Sequence, residues 1–190
     1  MRLTLSVLAV LAALPALAEG TRQLDAHEHG VGALNIAIDG TTVVMEFEAP
    51  GADIVGFEYA AQSEADRSAV DSAVARLAAP LDLFVMPAAA ECSVTLASAG
   101  LEGEEAHEDH NEHEEHDDHE DHSDEAGHTE FHAEYTLTCG NPNELTEISF
   151  AYFGAFENAR ELEVQIITGS GAQAFEVERD APVLDLRSLF

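Results

Sequence analysis

Histidine recurs at every third position of one acidic stretch near the middle of the chain. The six residues, separated only by Asp, Glu and one Asn, are His107, His110, His113, His116, His119 and His122. Fifteen acidic and no basic residues lie between 102 and 130, so this stretch cannot bury apolar surface and is predicted to be a disordered insert over 102–127. Folded structure must then come from 19–101 and 128–190, which we expect to form one β-rich body. A faint internal repeat leaves two related lobes as an alternative.

The charge of the whole chain excludes some classes of partner. Asp and Glu number 38 of 190 residues, against seven basic residues that are all Arg, and the formal net charge is −31. A protein that binds nucleic acid or an anionic membrane surface needs a basic patch that neutralises phosphates. We therefore expect neither partner.

The N-terminus has the pattern of an export signal. One Arg precedes an apolar run over 3–14, and Ala16-Leu17-Ala18 forms a small-x-small cleavage site. The run is shorter than the roughly 20 residues that span a bilayer. We predict a signal peptide over 1–18, cleaved after Ala18, and a periplasmic protein without membrane insertion. The alternative is a buried helix of the fold.

Alternation of apolar residues predicts most of the secondary structure. Strands are expected at 32–38 and 43–47 around an Asp39-Gly40 turn, at 81–86, 92–96, 131–139, 145–153, 161–168 and 172–179, and at 183–186. Ser63 to Asp66 resembles a capping box, which predicts a helix over about 64–79 that ends before Pro80. The expected fold class is α+β and β-rich, with antiparallel sheets and this one helix.

Two cysteines remain in the exported chain, and the strand pattern puts both on apolar faces. Cys92 alternates with Val94 and Leu96, and Cys139 ends the apolar positions of 131–139. In an oxidising compartment such a pair predicts a disulfide, which would clamp the base of the insert. Two free buried thiols are the alternative.

The histidines point to a metal. Neutral imidazole suits Zn²⁺, Cu²⁺ and Ni²⁺, and carboxylates complete the ligand shell and compensate its charge. We expect labile sites on the insert, and zinc is favoured because no Met or Cys cluster indicates Cu(I). More ordered ligands are predicted on the flanking motifs: His27 and His29, and His128, Glu130, His132 and Glu134 on one strand face. The alternative for the second set is the surface of a half-exposed strand.

The sequence gives less support to other classes of function. The chain contains no HExxH, HxxEH or GxSxG motif, so an enzyme is not expected. A pH-responsive interaction protein is a second alternative, because ten histidines would take up protons near their reference pKa of about 6.5.

The motifs around the insert resemble the ZrgA-type family of periplasmic zinc-binding proteins. The resemblance rests on His27-Glu28-His29-Gly30, 34–40, Ala49-Pro50, Ile54-Val55-Gly56-Phe57-Glu58, 131–139 and 162–165. It implies a protein that captures Zn²⁺ and assists high-affinity uptake through an inner-membrane transporter. The implied partner is a zinc ABC transporter or its substrate-binding protein. A metal-buffering or tolerance protein that sequesters Zn, Ni or Cu is the alternative.

Overall fold

The structure is a computed structural model that describes residues 28–103 and 128–189. The predicted signal peptide, His27 and the six histidines of the insert lie outside these residues. Within them, no helix combines the length and apolar content that a membrane span requires.

The described residues form a β-rich fold of two sheets. The strands are β1 (Val31–Asp39), β2 (Thr42–Pro50), β3 (Phe84–Val85), β4 (Cys92–Gly103), β5 (Thr129–Cys139), β6 (Glu147–Phe150), β7 (Glu161–Thr168), β8 (Gly171–Glu178) and β9 (Val183–Asp185). Six of them form a sheet in the order β4-β5-β2-β1-β7-β8, and the others form a small sheet in the order β3-β6-β9.

The large sheet is mixed, which corrects the expectation of antiparallel sheets. β1 runs parallel to β7, whereas every other neighbouring pair in both sheets is antiparallel. Apolar alternation reports which face of a strand is buried, but it carries no information about the direction of the neighbouring strand. The parallel pair therefore left no signal in the sequence pattern.

The helices are α1 (Gly51–Ile54), α2 (Glu64–Leu77), α3 (Pro80–Leu83) and α4 (Tyr152–Ala155). The predicted helix is confirmed as α2, two residues shorter at its C-terminal end. Its capping box is present, because the Ser63 hydroxyl accepts from the Asp66 N–H at 3.0 Å and the Asp66 carboxylate accepts from the Ser63 N–H at 3.0 Å.

Two predicted strands are wrong in part. Residues 81–86 contain the end of α3 before the two-residue β3, since Pro80 suits the first turn of a helix. Residues 145–153 contain β6 and then the start of α4, which buries Tyr152 and Phe153 in the core. Short apolar runs do not distinguish a strand from a buried helical turn.

The core lies between one face of the large sheet and the layer formed by the small sheet and the helices. Inward residues of the large sheet, such as Leu34 and Phe47, join side chains of the small sheet, such as Phe84, in one buried cluster. Aromatic rings pack at its centre, with the Phe47 ring centroid 5.3 Å from that of Tyr152 and 6.1 Å from that of Phe84. The other face of the large sheet points away from the core.

Cys92 and Cys139 form the predicted disulfide. They are register partners at one end of the β4–β5 ladder, whereas Gly103 and Thr129 pair at the end where the insert begins. Ten residue steps separate the two ends, which is about 33 Å. The disulfide therefore does not clamp the base of the insert as predicted; the hydrogen-bonded strands close that base.

The prediction that Leu96 faces inward with Cys92 is also wrong, whereas Val94 lies opposite the buried Leu137 and so shares the face of Cys92, although it is 41% exposed. A β-bulge between Val94 and Leu96 shifts the register, so that Leu96 lies opposite the outward Thr136. One extra residue reverses the face of every later position in a strand, and β4 lies at the edge of the sheet, where bulges are common.

Loss of the disulfide should destabilise the protein. Its two cysteines lie 47 positions apart, and the chain-entropy model values closure of such a loop at about 4 kcal/mol. The variant Cys92→Ser/Cys139→Ala should lower the urea midpoint to that of reduced wild type. Two reactive thiols in denatured, unreduced wild type, or an unchanged midpoint, would contradict the assignment.

Candidate metal centre

The carboxylate of Glu58 connects two of the predicted ligand histidines. His29 Nε2 lies 3.0 Å from Glu58 Oε1, and His128 Nδ1 lies 3.0 Å from Glu58 Oε2. The side chain of Glu58 is 16% exposed, whereas the two imidazoles are 66% and 67% exposed. The Glu58 carboxylate is thus held by its surroundings, whereas the two exposed imidazoles have room to rotate.

His29 is positioned through the backbone of Gly30. Both oxygens of the buried Asp53, in α1, accept the Gly30 N–H, at 2.8 and 3.0 Å. The Gly30 carbonyl accepts from the backbone N–H groups of Arg160 and Glu161. Gly30 has φ +96°, and a Cβ there would lie 3.0 Å from the Arg160 side chain, so this junction requires glycine.

His128 is positioned by the first residue of β5. The Thr129 N–H donates to the Glu58 carbonyl at 3.0 Å, which fixes the end of the insert to the segment that carries Glu58. The start of α1 packs against the same place, because a Cβ on Gly51 would lie 2.5 Å from Thr129 Oγ1. The site is therefore formed where β1, α1 and β5 begin.

Two aromatic residues flank Glu58 in the sequence. The rings of Phe57 and Tyr59 stack with centroids 4.7 Å apart. The two rings thus pack together beside Glu58, whose carboxylate contacts the two imidazoles.

The pKa values of Glu58 and Asp53, two carboxylates of this region, are shifted in opposite directions. Burial raises the pKa of Glu58, but the hydrogen bonds from His128 and His29 outweigh it and hold the pKa below its usual value. Burial also raises the pKa of Asp53, and there the Gly30 N–H offsets only part of the effect, so that the pKa stays above its usual value. The ionised form is thus favoured at Glu58 and disfavoured at Asp53.

His132 lies in a second cluster with different carboxylates. Its Nε2 is 3.0 Å from Glu130 Oε2 and 3.8 Å from Glu102 Oε2, and its Nδ1 is 3.7 Å from Glu48 Oε1. His132, Glu48 and Glu102 line a depression of about 470 Å³ on the outward face of the large sheet, together with the exposed Glu134. The structure thus brings His29 and His128 together on Glu58 and places His132, Glu130 and Glu134 in another group.

Neither cluster is a closed metal site as it stands. Among residues 28–103 and 128–189, no three His, Cys, Asp or Glu side chains converge on one point suited to an ion. Tetrahedral zinc with bonds near 2.0–2.1 Å separates its ligand atoms by about 3.3 Å. The N···O distances of 3.0 Å at Glu58 are hydrogen-bond contacts to two different carboxylate oxygens, so an ion could bind all three groups only if these hydrogen bonds broke and the side chains rotated.

A family model described as ZrgA family zinc uptake protein matches residues 26–186. The chain belongs to this family. The family resemblance carried by the ordered motifs is thereby confirmed, and the ZrgA match includes every residue of both clusters. No curated protein matches the chain.

Glu58 and Asp53 were missed as site residues by the sequence analysis. Glu58 stands in the segment Gly56-Phe57-Glu58, which contributed to the ZrgA resemblance, but it lies 29 positions from His29 and 70 from His128. The strand pattern around His128 instead predicted Glu130 and Glu134 as the carboxylate ligands. The signal available in the sequence was an acidic residue, Glu58, two positions after the isolated Gly56.

Asp53→Ala should destabilise the protein and loosen His29. The substitution leaves the buried Gly30 N–H without its acceptor, which costs about 1–3 kcal/mol. Asp53→Asn keeps one acceptor oxygen, so urea unfolding at pH 7 should show a smaller loss for Asn than for Ala. Equal losses in the two variants would contradict the role assigned to this hydrogen bond.

Proposed function

We propose that the protein captures Zn²⁺ in the periplasm at His29, Glu58 and His128 and assists its uptake through an inner-membrane transporter. The observation that carries the proposal is the contact of two imidazoles with one ionised carboxylate. The family description, which concerns zinc uptake, supports the choice of zinc. The ion is cargo here, not a resident cofactor.

The chemistry of the three groups suits a borderline cation. Two neutral imidazoles and a carboxylate leave a fourth position for water or another ligand, as in open zinc sites. His27 lies two residues before His29 and is our candidate for that position. It lies outside the described residues, so its place in the site is a proposal from the sequence alone.

The exposure of the imidazoles suits release as well as capture. Glu58 is held by its surroundings, whereas His29 and His128 are each about two-thirds exposed and must be ordered when the ion binds. Ordering side chains costs free energy, which lowers affinity below that of a closed structural site. A protein that passes its ion to a transporter requires such a site.

The remaining predicted ligands are assigned to weaker binding. His132, Glu130 and Glu134 lie on the open outward face of the sheet, where solvent weakens electrostatic attraction to the ion. The six insert histidines, His107 to His122, are proposed to collect zinc at labile sites. The insert directly precedes His128 in the sequence, so it is covalently joined to the proposed site.

Metal buffering is the alternative role for the same site. The two roles differ in the condition under which a cell needs the protein, since uptake matters when zinc is scarce and sequestration when it is in excess. The family description favours uptake, and the zinc chemistry is common to both.

Substitutions at the two clusters should separate their contributions to zinc binding. In a protein whose residues 104–127 are replaced by a short Gly/Asn linker, calorimetric titration should find a tight site. Glu58→Gln, which keeps size and removes charge, should weaken that site about 10–100-fold, and His29→Ala/His128→Ala should abolish it. His132→Ala is the matched control and should retain it.

Two results would overturn the assignment. If the linker protein binds no zinc, the ordered residues are a scaffold for a His-rich insert that does all the binding. If His132→Ala loses the tight site and Glu58→Gln keeps it, the second cluster is the capture site.

A further inference from the structure

The outward face of the large sheet is arranged in rows that cross its strands. The register of each neighbouring pair aligns one outward residue from each strand, so that side chains of similar chemistry meet across the sheet. Two kinds of row are present, one apolar and one acidic.

The apolar row crosses all six strands. Its members, in strand order from β4 to β8, are Leu96, Thr136, Val44, Ala37, Ile167 and Ala172. Leu96 is 55% exposed, Ile167 50% and Val44 39%. Large exposed apolar side chains scattered singly are ordinary on a protein surface, but three of them in one row, with only Thr136 and Ala37 between them, form a patch typical of an interaction site.

The acidic rows lie beside it and contain like charges in direct opposition. The opposed pairs are Glu46 with Glu134, Glu102 with Glu130, Glu163 with Glu176, and Glu161 with Glu178. Like charges directly across a strand pair destabilise a sheet. At Glu161, burial and then repulsion from Glu176 and Glu178 raise the pKa of the carboxyl.

No Arg side chain of the described residues stands in these rows, and the imidazole of His132 contacts only Glu48, Glu102 and Glu130. The Arg67 and Arg76 guanidinium groups donate to backbone carbonyls of other segments, and Arg179 donates to the carbonyls of Phe153, Phe156 and Ala159. Arg187 pairs with Asp185, and Arg160 packs beside Gly30. Among the described residues, the carboxylates of Glu161, Glu163, Glu176 and Glu178 are therefore left without an ion-pair partner, and a cation for them must come from elsewhere.

The same face is grooved. A depression of about 620 Å³ is lined by Ala33, Asn35, Glu163, Ala174 and Glu176. The depression of about 470 Å³ around His132 begins at Glu48, the register partner of Ala33. Together they form a shallow trough across the strands, with small side chains on its floor, carboxylates along it and the apolar row beside it.

We propose that this face is a docking surface for a basic amphipathic α-helix of another protein. Five spacings of about 4.8 Å make the sheet roughly 24 Å wide, the length of about 16 helical residues. A helix lying across the strands would pack its apolar side on Val44, Leu96 and Ile167, and its Lys or Arg would meet the carboxylates of the trough. The complementary charges select the partner and orient the helix.

A second copy of this chain does not fit the surface. Two such faces would bring the opposed carboxylate pairs of both copies together without a counter-charge, and like charges brought together in an interface disfavour association. The charge complementarity thus points to a different, basic protein.

The test uses the full mature chain, freed of metal, and two labelled synthetic peptides of 16 residues. One peptide carries Leu along one helical side and Lys along the other, and the second is a scramble with the same composition and no apolar side. Fluorescence anisotropy should show tighter binding of the amphipathic peptide. Val44→Thr/Ile167→Thr and Glu163→Gln/Glu176→Gln should each weaken it by about tenfold or more, since apolar burial and charge pairing both contribute.

Matched controls lie on other surfaces. Val183→Thr removes an equally exposed apolar residue from β9, and Glu64→Gln/Asp71→Asn removes two charges from α2, so both should bind the peptide like wild type. The Glu163→Gln/Glu176→Gln protein should keep its Tm, because the substitution relieves a repulsive pair, and weaker binding is then not a folding defect. Equal binding of the scrambled peptide, or equal losses in face and control variants, would overturn the proposal in favour of unspecific attraction to an acidic chain.

Discussion

The backbone of Gly30 ties together three parts of the chain, and the candidate metal centre depends on it. Its N–H donates to both oxygens of Asp53 in α1, and its carbonyl accepts from the first residues around β7. The parallel pairing of β1 with β7 starts at this junction. Because His29 is the preceding residue, the same hydrogen bonds that start the sheet also deliver an imidazole to Glu58.

A second backbone contact brings the other imidazole. The Thr129 N–H bonds the Glu58 carbonyl, while the side chain of the same Glu58 meets His128. One residue thus fixes the beginning of β5 and offers the carboxylate. The predicted insert ends just before His128, so a segment predicted to collect metal is joined directly to the residues that we propose as the capture site.

The sequence pattern predicted a strand well where one face of the strand is buried and the other is exposed to solvent. β1 and β2 follow their alternation, and α2 follows its capping box, because these signals are local. The two-residue loop between β1 and β2 is Gly40-Thr41 and not Asp39-Gly40 as predicted, since Asp39 pairs with Thr42. The parallel β1–β7 pair, the bulge after Val94 and the approach of Glu58 to His29 depend on contacts between distant segments. The histidine pattern therefore predicted two members of the Glu58 cluster, but it neither found the carboxylate between them nor separated His132 from them.

The central claim is that the first zinc ion binds at Glu58 and not on the insert or at His132. The most direct measurement is imidazole ¹H–¹⁵N NMR of the full mature chain during zinc titration. Substoichiometric zinc should shift the ring signals of His29 and His128 first and leave those of His132 and of the insert until later. Shifts that begin on the insert rings or on His132, with His29 and His128 unchanged, would contradict the account.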